Sequence, residues 1–125
     1  MSAAAKRASA RRGRELAGRR AETAAALLLR LKGFAILARR FSSPLGEIDL
    51  VARRGGLLVF VEVKRRDSAG DALEAVGFRQ RERIARAATL FLQRQPQLAG
   101  LARRFDVVAV TPWRLPLHLP DAWRP

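Results

Sequence analysis

Residues 46–64 read GEIDLVARRGGLLVFVEVK. Two apolar, strand-like runs flank Gly55-Gly56, a dipeptide suited to a two-residue hairpin loop whose central positions call for positive φ. With those glycines as the loop, Arg54 faces Leu57, and the register sets Asp49 across from Glu62 and Glu47 across from Lys64. The apolar residues match too: Ile48 with Val63, Leu50 with Val61, Ala52 with Val59. Because strand side chains alternate between faces, they form a hydrophobic floor for a helix to cover. The other face carries Glu47, Asp49 and Val51 on one strand and Phe60, Glu62 and Lys64 on the next.

Opposed residues in such a pair have Cβ atoms roughly 4.5–5.5 Å apart, and like charges placed so repel. Asp49 against Glu62 is a cost that a divalent cation would offset. Mg²⁺ takes one or two carboxylates together with waters and a substrate phosphate. Lys64, on the same face as Glu62, is placed to reach a metal-bound water or a phosphoryl oxygen. Lysine suits that post better than arginine, since its compact ammonium shifts its pKa readily in a crowded site. The simpler alternative is an ordinary Glu47–Lys64 ion pair, with Asp49 and Glu62 solvated on an open sheet face.

The rest of the chain gives this hairpin a setting. The chain has 125 residues and 49% hydrophobic content, which fits one globular domain. No cysteine is present, which excludes disulfides, Cys-ligated metals and thiol chemistry and suits the reducing cytoplasm expected here. The longest apolar run, residues 24–29, is far too short to span a bilayer, so no membrane association is expected. The opening residues share the Arg, Ala and Ser bias of a transit peptide, but a plain basic arm over residues 1–12 fits them better. Net charge is +14, a field that attracts polyanions, nucleic acid foremost.

Apolar spacing predicts a helix over residues 14–32, a strand over 34–41, the hairpin, a short helix at 71–76, a longer helix at 79–94 and a strand over 105–111. The expected order is α-β-β-β-α-β. Residues 13–111 form the domain, and 112–125 a tail with four prolines and both tryptophans, ending in an irregular edge segment. His118, the only histidine, rules out multi-histidine sites and reads as a surface residue. Trp113 and Trp123 are candidates for stacking on unpaired bases, although packing against the domain is the commoner fate of a tail tryptophan. Arg79, Arg83 and Arg86 on the exposed side of the long helix, with Arg65 and Arg66 after the third strand, are candidate phosphate contacts.

The runs GEIDL and VFVEVK, with AE in the first helix and RFDVVAV later, resemble the YraN-type family of small bacterial proteins. Their pattern belongs to the restriction-endonuclease-like PD-(D/E)-x-K fold, similar to archaeal Holliday-junction resolvases. The resemblance spans about residues 13–110 and implies an α/β fold with a mixed central sheet flanked by helices. It further implies an endonuclease dependent on Mg²⁺ or Mn²⁺ and acting on DNA, branched or structured DNA included. Asp49 and Glu62 match the metal-binding acids, with the Val63 carbonyl assisting, and Lys64 matches the signature lysine. Glu22 matches a glutamate that completes the acidic cluster, Glu47 is a supporting partner of Lys64, and Gln80 stands where a lysine usually opens the long helix. Arg40 and Ser42 replace an expected Asn and Arg. The rival expectation is a non-catalytic nucleic-acid-binding protein of the same fold, and a weaker third is an assembly protein with an acidic partner. The sequence does not fix the oligomeric state, a homodimer included.

Overall fold

A computed structural model describes residues 2–125. Helix α1 (Ala3–Leu31) is capped by Ser2, whose hydroxyl accepts the Ala5 N–H at 3.1 Å. Thereafter come β1 (Ala35–Ser43), β2 (Gly46–Arg54), β3 (Leu57–Arg65), α2 (Ala69–Glu74), α3 (Phe78–Arg94), a 3₁₀ turn (Pro96–Leu98), β4 (Ala102–Val110) and β5 (Leu117–Trp123). The five strands lie in chain order across one mixed sheet, antiparallel throughout except for the parallel pair β3–β4, which α2 and α3 connect. The expected mixed α/β sheet flanked by helices is what forms.

Two segments differ from expectation. Residues 3–12, read as a basic arm, are the opening turns of α1; Met1 lies outside the described residues. Alanine and arginine are strong helix formers and need no apolar stripe to propagate a helix. Every buried residue of α1 lies between Ala21 and Leu29, so the first turns project from the domain. At the other end, the presumed irregular tail supplies a fifth strand. Pro120 is tolerated there because β5 is an edge strand.

The hairpin register is as expected, from Arg54↔Leu57 to Leu50↔Val61. Of the two loop glycines only Gly55 is left-handed (φ 57°), so the turn needs glycine at its first central position alone. Both faces of the sheet are covered. Ala25, Ala26 and Leu29 of α1 pack on Leu50, Ala52, Val59 and Val61, the expected floor. On the reverse, Ile84, Ala87 and Phe91 of α3 pack on Val51, Leu58 and Phe60. Burial on both sides explains the unbroken apolar run of β3. Ile48 belongs to the α3 face rather than the floor, so the side-chain alternation of β2 breaks around Asp49.

Trp123 is stacked on Phe105 at 4.3 Å, and β5 is tied down by a buried polar hub. Asp106, fully buried, accepts from Arg104 Nε (2.8 Å) and Nη2 (2.9 Å) and from the Asp121 N–H (2.9 Å). His118 Nε2 lies 2.7 Å from the same carboxylate, and Lys32 Nζ lies 2.9 Å from His118 Nδ1. With the ammonium donating to Nδ1, the ring carries its proton on Nε2 and gives it to Asp106. His118 is therefore buried, not a surface residue: β5 pairs with β4 and carries the ring inward.

Burial pushes the Asp106 carboxyl up, but His118, Arg104 and the Asp121 N–H together outweigh it and hold the group at about 2. A depressed folded pKa gives stability that is present above the ordinary carboxylate range and is lost as pH falls toward 2. Asp106→Asn should lower the urea unfolding free energy by about 3 kcal/mol at pH 7, since it leaves Arg104 and His118 without their anion. The difference from wild type should shrink as pH drops from 4 to about 2. Urea melts across that range check both expectations.

Candidate functional site

The β2–β3 ladder extends only as far as Leu50↔Val61, and Asp49 and Glu62 lie immediately beyond it. There side chains take up backbone groups. Asp49 Oδ2 accepts the Val63 N–H at 2.8 Å, and Glu62 Oε1 accepts the Asp49 N–H at 3.3 Å. Each strand thus holds the other's carboxylate, which keeps the two acids side by side. Glu62 is only 3% exposed, and its other oxygen accepts from Gln80 Nε2 of α3 at 3.1 Å. Gly46 lets β2 enter this close to α3, because a Cβ there would sit 2.9 Å from the Arg83 carbonyl oxygen.

The electrostatics are those of an under-neutralised pair. Burial, followed by the negative charge of Asp49, drives the Glu62 carboxyl up to about 9. Asp49 is raised as well, mainly by burial and further by the charge of Glu22. The Val63 N–H, the bond to Glu62 and the Lys64 charge oppose that rise. Lys64 is half-buried and joins no salt bridge among the described residues. Asp49 opens onto two clefts. One, beside α3, it shares with Glu47, Glu62, Gln80, Arg79 and Arg83. The other, beside α1, it shares with Glu22, Val63, Lys64, Arg65 and Arg66.

Glu22 is buried and turned toward this region, but Arg40 occupies it, with Nε 2.6 Å from Oε1 and 3.2 Å from Oε2. Arg40 has a left-handed backbone (φ 53°), rare for a non-glycine residue. It lies between the pairs Arg39↔Leu50 and Phe41↔Ile48, across from Asp49, where β2 also loses its alternation. Among the described residues no three His, Cys, Asp or Glu side chains are grouped to hold one ion. Glu22 is thus an arginine-paired acid near the couple rather than a third member of a cluster. Glu47 does not pair with Lys64; it accepts the Ser42 hydroxyl at 3.2 Å. The strands are unpaired at that level, so the expected cross-strand contact has no ladder to bring it about. Arg86 is exposed on α3 and lines neither cleft. The Arg40–Glu22 pair was not foreseen from sequence; the arginine standing in place of an expected Asn was its only trace.

The fold and site define a mixed α/β protein with an acidic couple, Glu62 buried and Asp49 half-buried, at the open end of a hairpin, beside a lysine that has no ion-pair partner among the described residues. Residues 21–110 match the family described as "Uncharacterised protein family UPF0102", and the chain belongs to it. Similar proteins include the UPF0102 protein amb4503 of Paramagnetospirillum magneticum, 56% identical over 86% of each chain. The UPF0102 protein of Parvibaculum lavamentivorans is 56% identical over 86% of this chain and 81% of its own. UPF0102 protein Atu0303 of Agrobacterium fabrum is 50% identical over 90% and 93%.

A carboxyl raised from 4.5 to about 9 stays protonated in the fold while the unfolded chain ionises, so stability should fall as pH rises through that window. The slope is at most about 1.4 kcal/mol per pH unit for one proton. Glu62→Gln imitates the protonated form. In chelator it should match wild type near pH 5 and melt higher at pH 8. Parallel melting curves across this range would show that Glu62 holds no such proton.

Proposed function

We propose that this chain is a metal-dependent phosphodiesterase that cleaves DNA, with branched or otherwise structured DNA as the substrate class. One observation carries the reading: a buried acid, Glu62, and a half-buried one, Asp49, stand side by side with too few donors to neutralise them. Asp106 in the same sheet receives four donated hydrogen bonds, two from a guanidinium, and its pKa drops. Glu62 receives one backbone N–H and one amide, and its pKa rises. The first is a finished structural network; the second is one that a bound cation would complete.

The donor set fits Mg²⁺ or Mn²⁺, which take one or two carboxylates and complete their shell with water and phosphate oxygens. Asp49 and Glu62 would hold the ion, with the Val63 carbonyl as a further oxygen ligand. When bound, such an ion lowers the pKa of its water and neutralises phosphoryl charge. Gln80 fixes the Glu62 carboxyl. Lys64, without a carboxylate partner, orients the attacking water and meets the charge that develops on phosphorus-bound oxygen. Arg79 and Arg83 on one cleft, Arg65 and Arg66 on the other, and Arg86 further along α3 bind backbone phosphates without reading sequence. The rival reading, a binding protein of the same fold without turnover, draws on one feature: Arg40 neutralises Glu22 and removes it from the acidic set.

Plasmid and branched DNA incubated with protein and Mn²⁺ should be cut, and chelator should stop the reaction. Lys64→Ala should reduce the cleavage rate by about 10²–10⁴-fold, the range of a lost proton-handling group. DNA affinity should change little. Tight, salt-sensitive binding with no cleavage of any substrate would favour the binding protein instead.

A further inference from the structure

Trp113 is fully exposed, at 101% of its reference area, and its backbone is left-handed (φ 62°). That conformation is an outlier for a bulky side chain. Strain of this kind collects at ligand clamps, where the surrounding chain holds it in place. Here the neighbour is Pro112, with φ fixed by its ring. Leu115, at 88% exposure, stands two residues on, and together they line a groove with Asp67 and Ser68. Trp113 and Leu115 leave two large apolar side chains exposed on one turn, and it is contiguous apolar surface, rather than a single residue, that marks interaction sites.

Position gives the groove its meaning. β3 and β4 run parallel and end level, at the pair Arg65↔Val110, and the Arg66 N–H bonds the Val110 carbonyl at 3.2 Å. The Trp113 turn leaves from the end of β4, and the Asp49–Glu62–Lys64 site lies at the same end of β3, one strand over. Arg65 and Arg66 line the cleft that contains Asp49 and Lys64 and also stand at the root of the Trp113 turn. Arg114 and Asp67 line the groove itself, while the exposed Arg65 and Arg66 belong to the adjoining cleft, so the cationic charge lies between the groove and the Asp49–Lys64 site. A strand whose phosphates run along Arg65 and Arg66 would bring its next base to the indole face.

We propose that Trp113 is a stacking platform for an unpaired nucleobase, so that the preferred nucleic acid carries single-stranded nucleotides next to the cleaved or bound segment. This deepens the nucleic-acid reading of the site and rests on it, though not on turnover. Stacking on an aromatic ring is tolerant of base identity, and arginines supply the salt-dependent part. A second copy of the chain is the competing occupant of so apolar a patch, but each copy carries +14, which opposes self-association.

Binding is measured in chelator by anisotropy of three labelled probes: a single-stranded oligodeoxynucleotide, a blunt duplex of the same strand, and inorganic polyphosphate. Trp113→Ala should weaken the single strand about tenfold and leave duplex and polyphosphate within about twofold. Trp113→Phe should retain most of the affinity, and the single strand alone should quench the exposed indole. Equal losses on all three probes, or no loss on any, would overturn the platform. So would quenching by anionic vesicles but not by oligonucleotide, or a dimer in sedimentation that Trp113→Ala abolishes. Cleavage that ignores Trp113 sinks the platform alone; a Trp113-dependent preference for single strands without cleavage sinks only the nuclease.

Discussion

The reciprocal hold between Asp49 and Glu62 is the constraint on which the site depends. The backbone of each strand there is met by a carboxylate from its neighbour instead of a carbonyl. Two consequences follow from that exchange. The acids are fixed in position by main-chain donors, which a flexible side-chain partner could not achieve. They also remain short of positive charge, because neutral N–H groups orient a carboxylate without cancelling it. The guanidinium of Arg40, across from Asp49 on β1, goes to Glu22 instead.

The sheet's other buried acid shows what completion looks like. Asp106 stands at a register shift in the β4–β5 pair, as Asp49 stands where β2 loses its regularity. Both accept a backbone N–H that the ladder leaves over. At Asp106, however, a bidentate arginine and a histidine fill the remaining lone pairs, so the hub closes the edge of the domain. One irregularity anchors β5; the other leaves an incompletely bonded pair of carboxyl groups in a strongly cationic protein.

Much of this was legible in the chain. The hairpin register could be read because side-chain alternation and a two-glycine loop admit one pairing that buries Leu50, Ala52, Val59 and Val61 together. Other features were not. Alternation assumes a regular pleat, so it sent Ile48 to the floor and paired Glu47 with Lys64, and both fail where β2 becomes irregular. Apolar periodicity reports only a face that packs, so it missed the solvent-exposed turns of α1 from Ala3. Four prolines disguised β5, whose place as an edge strand removes the usual penalty. His118 gave no local hint of burial, since its partners Lys32 and Asp106 lie 86 and 12 residues away.

The sequence by itself determined the hairpin, the mixed α/β class, the meeting of Asp49 with Glu62, and the cationic surround. These follow from local chemistry: period, turn residues and net charge act over a few neighbours or over the whole molecule at once. Only the tertiary structure decided which acids were neutralised. Arg40 reaches Glu22 from β1 and Arg104 with His118 encloses Asp106, whereas Glu62 receives only the neutral amide of Gln80 from α3. Such choices depend on distances of a few ångströms between segments remote in the chain, where Coulomb energies and donor geometry change steeply and no periodicity carries the information.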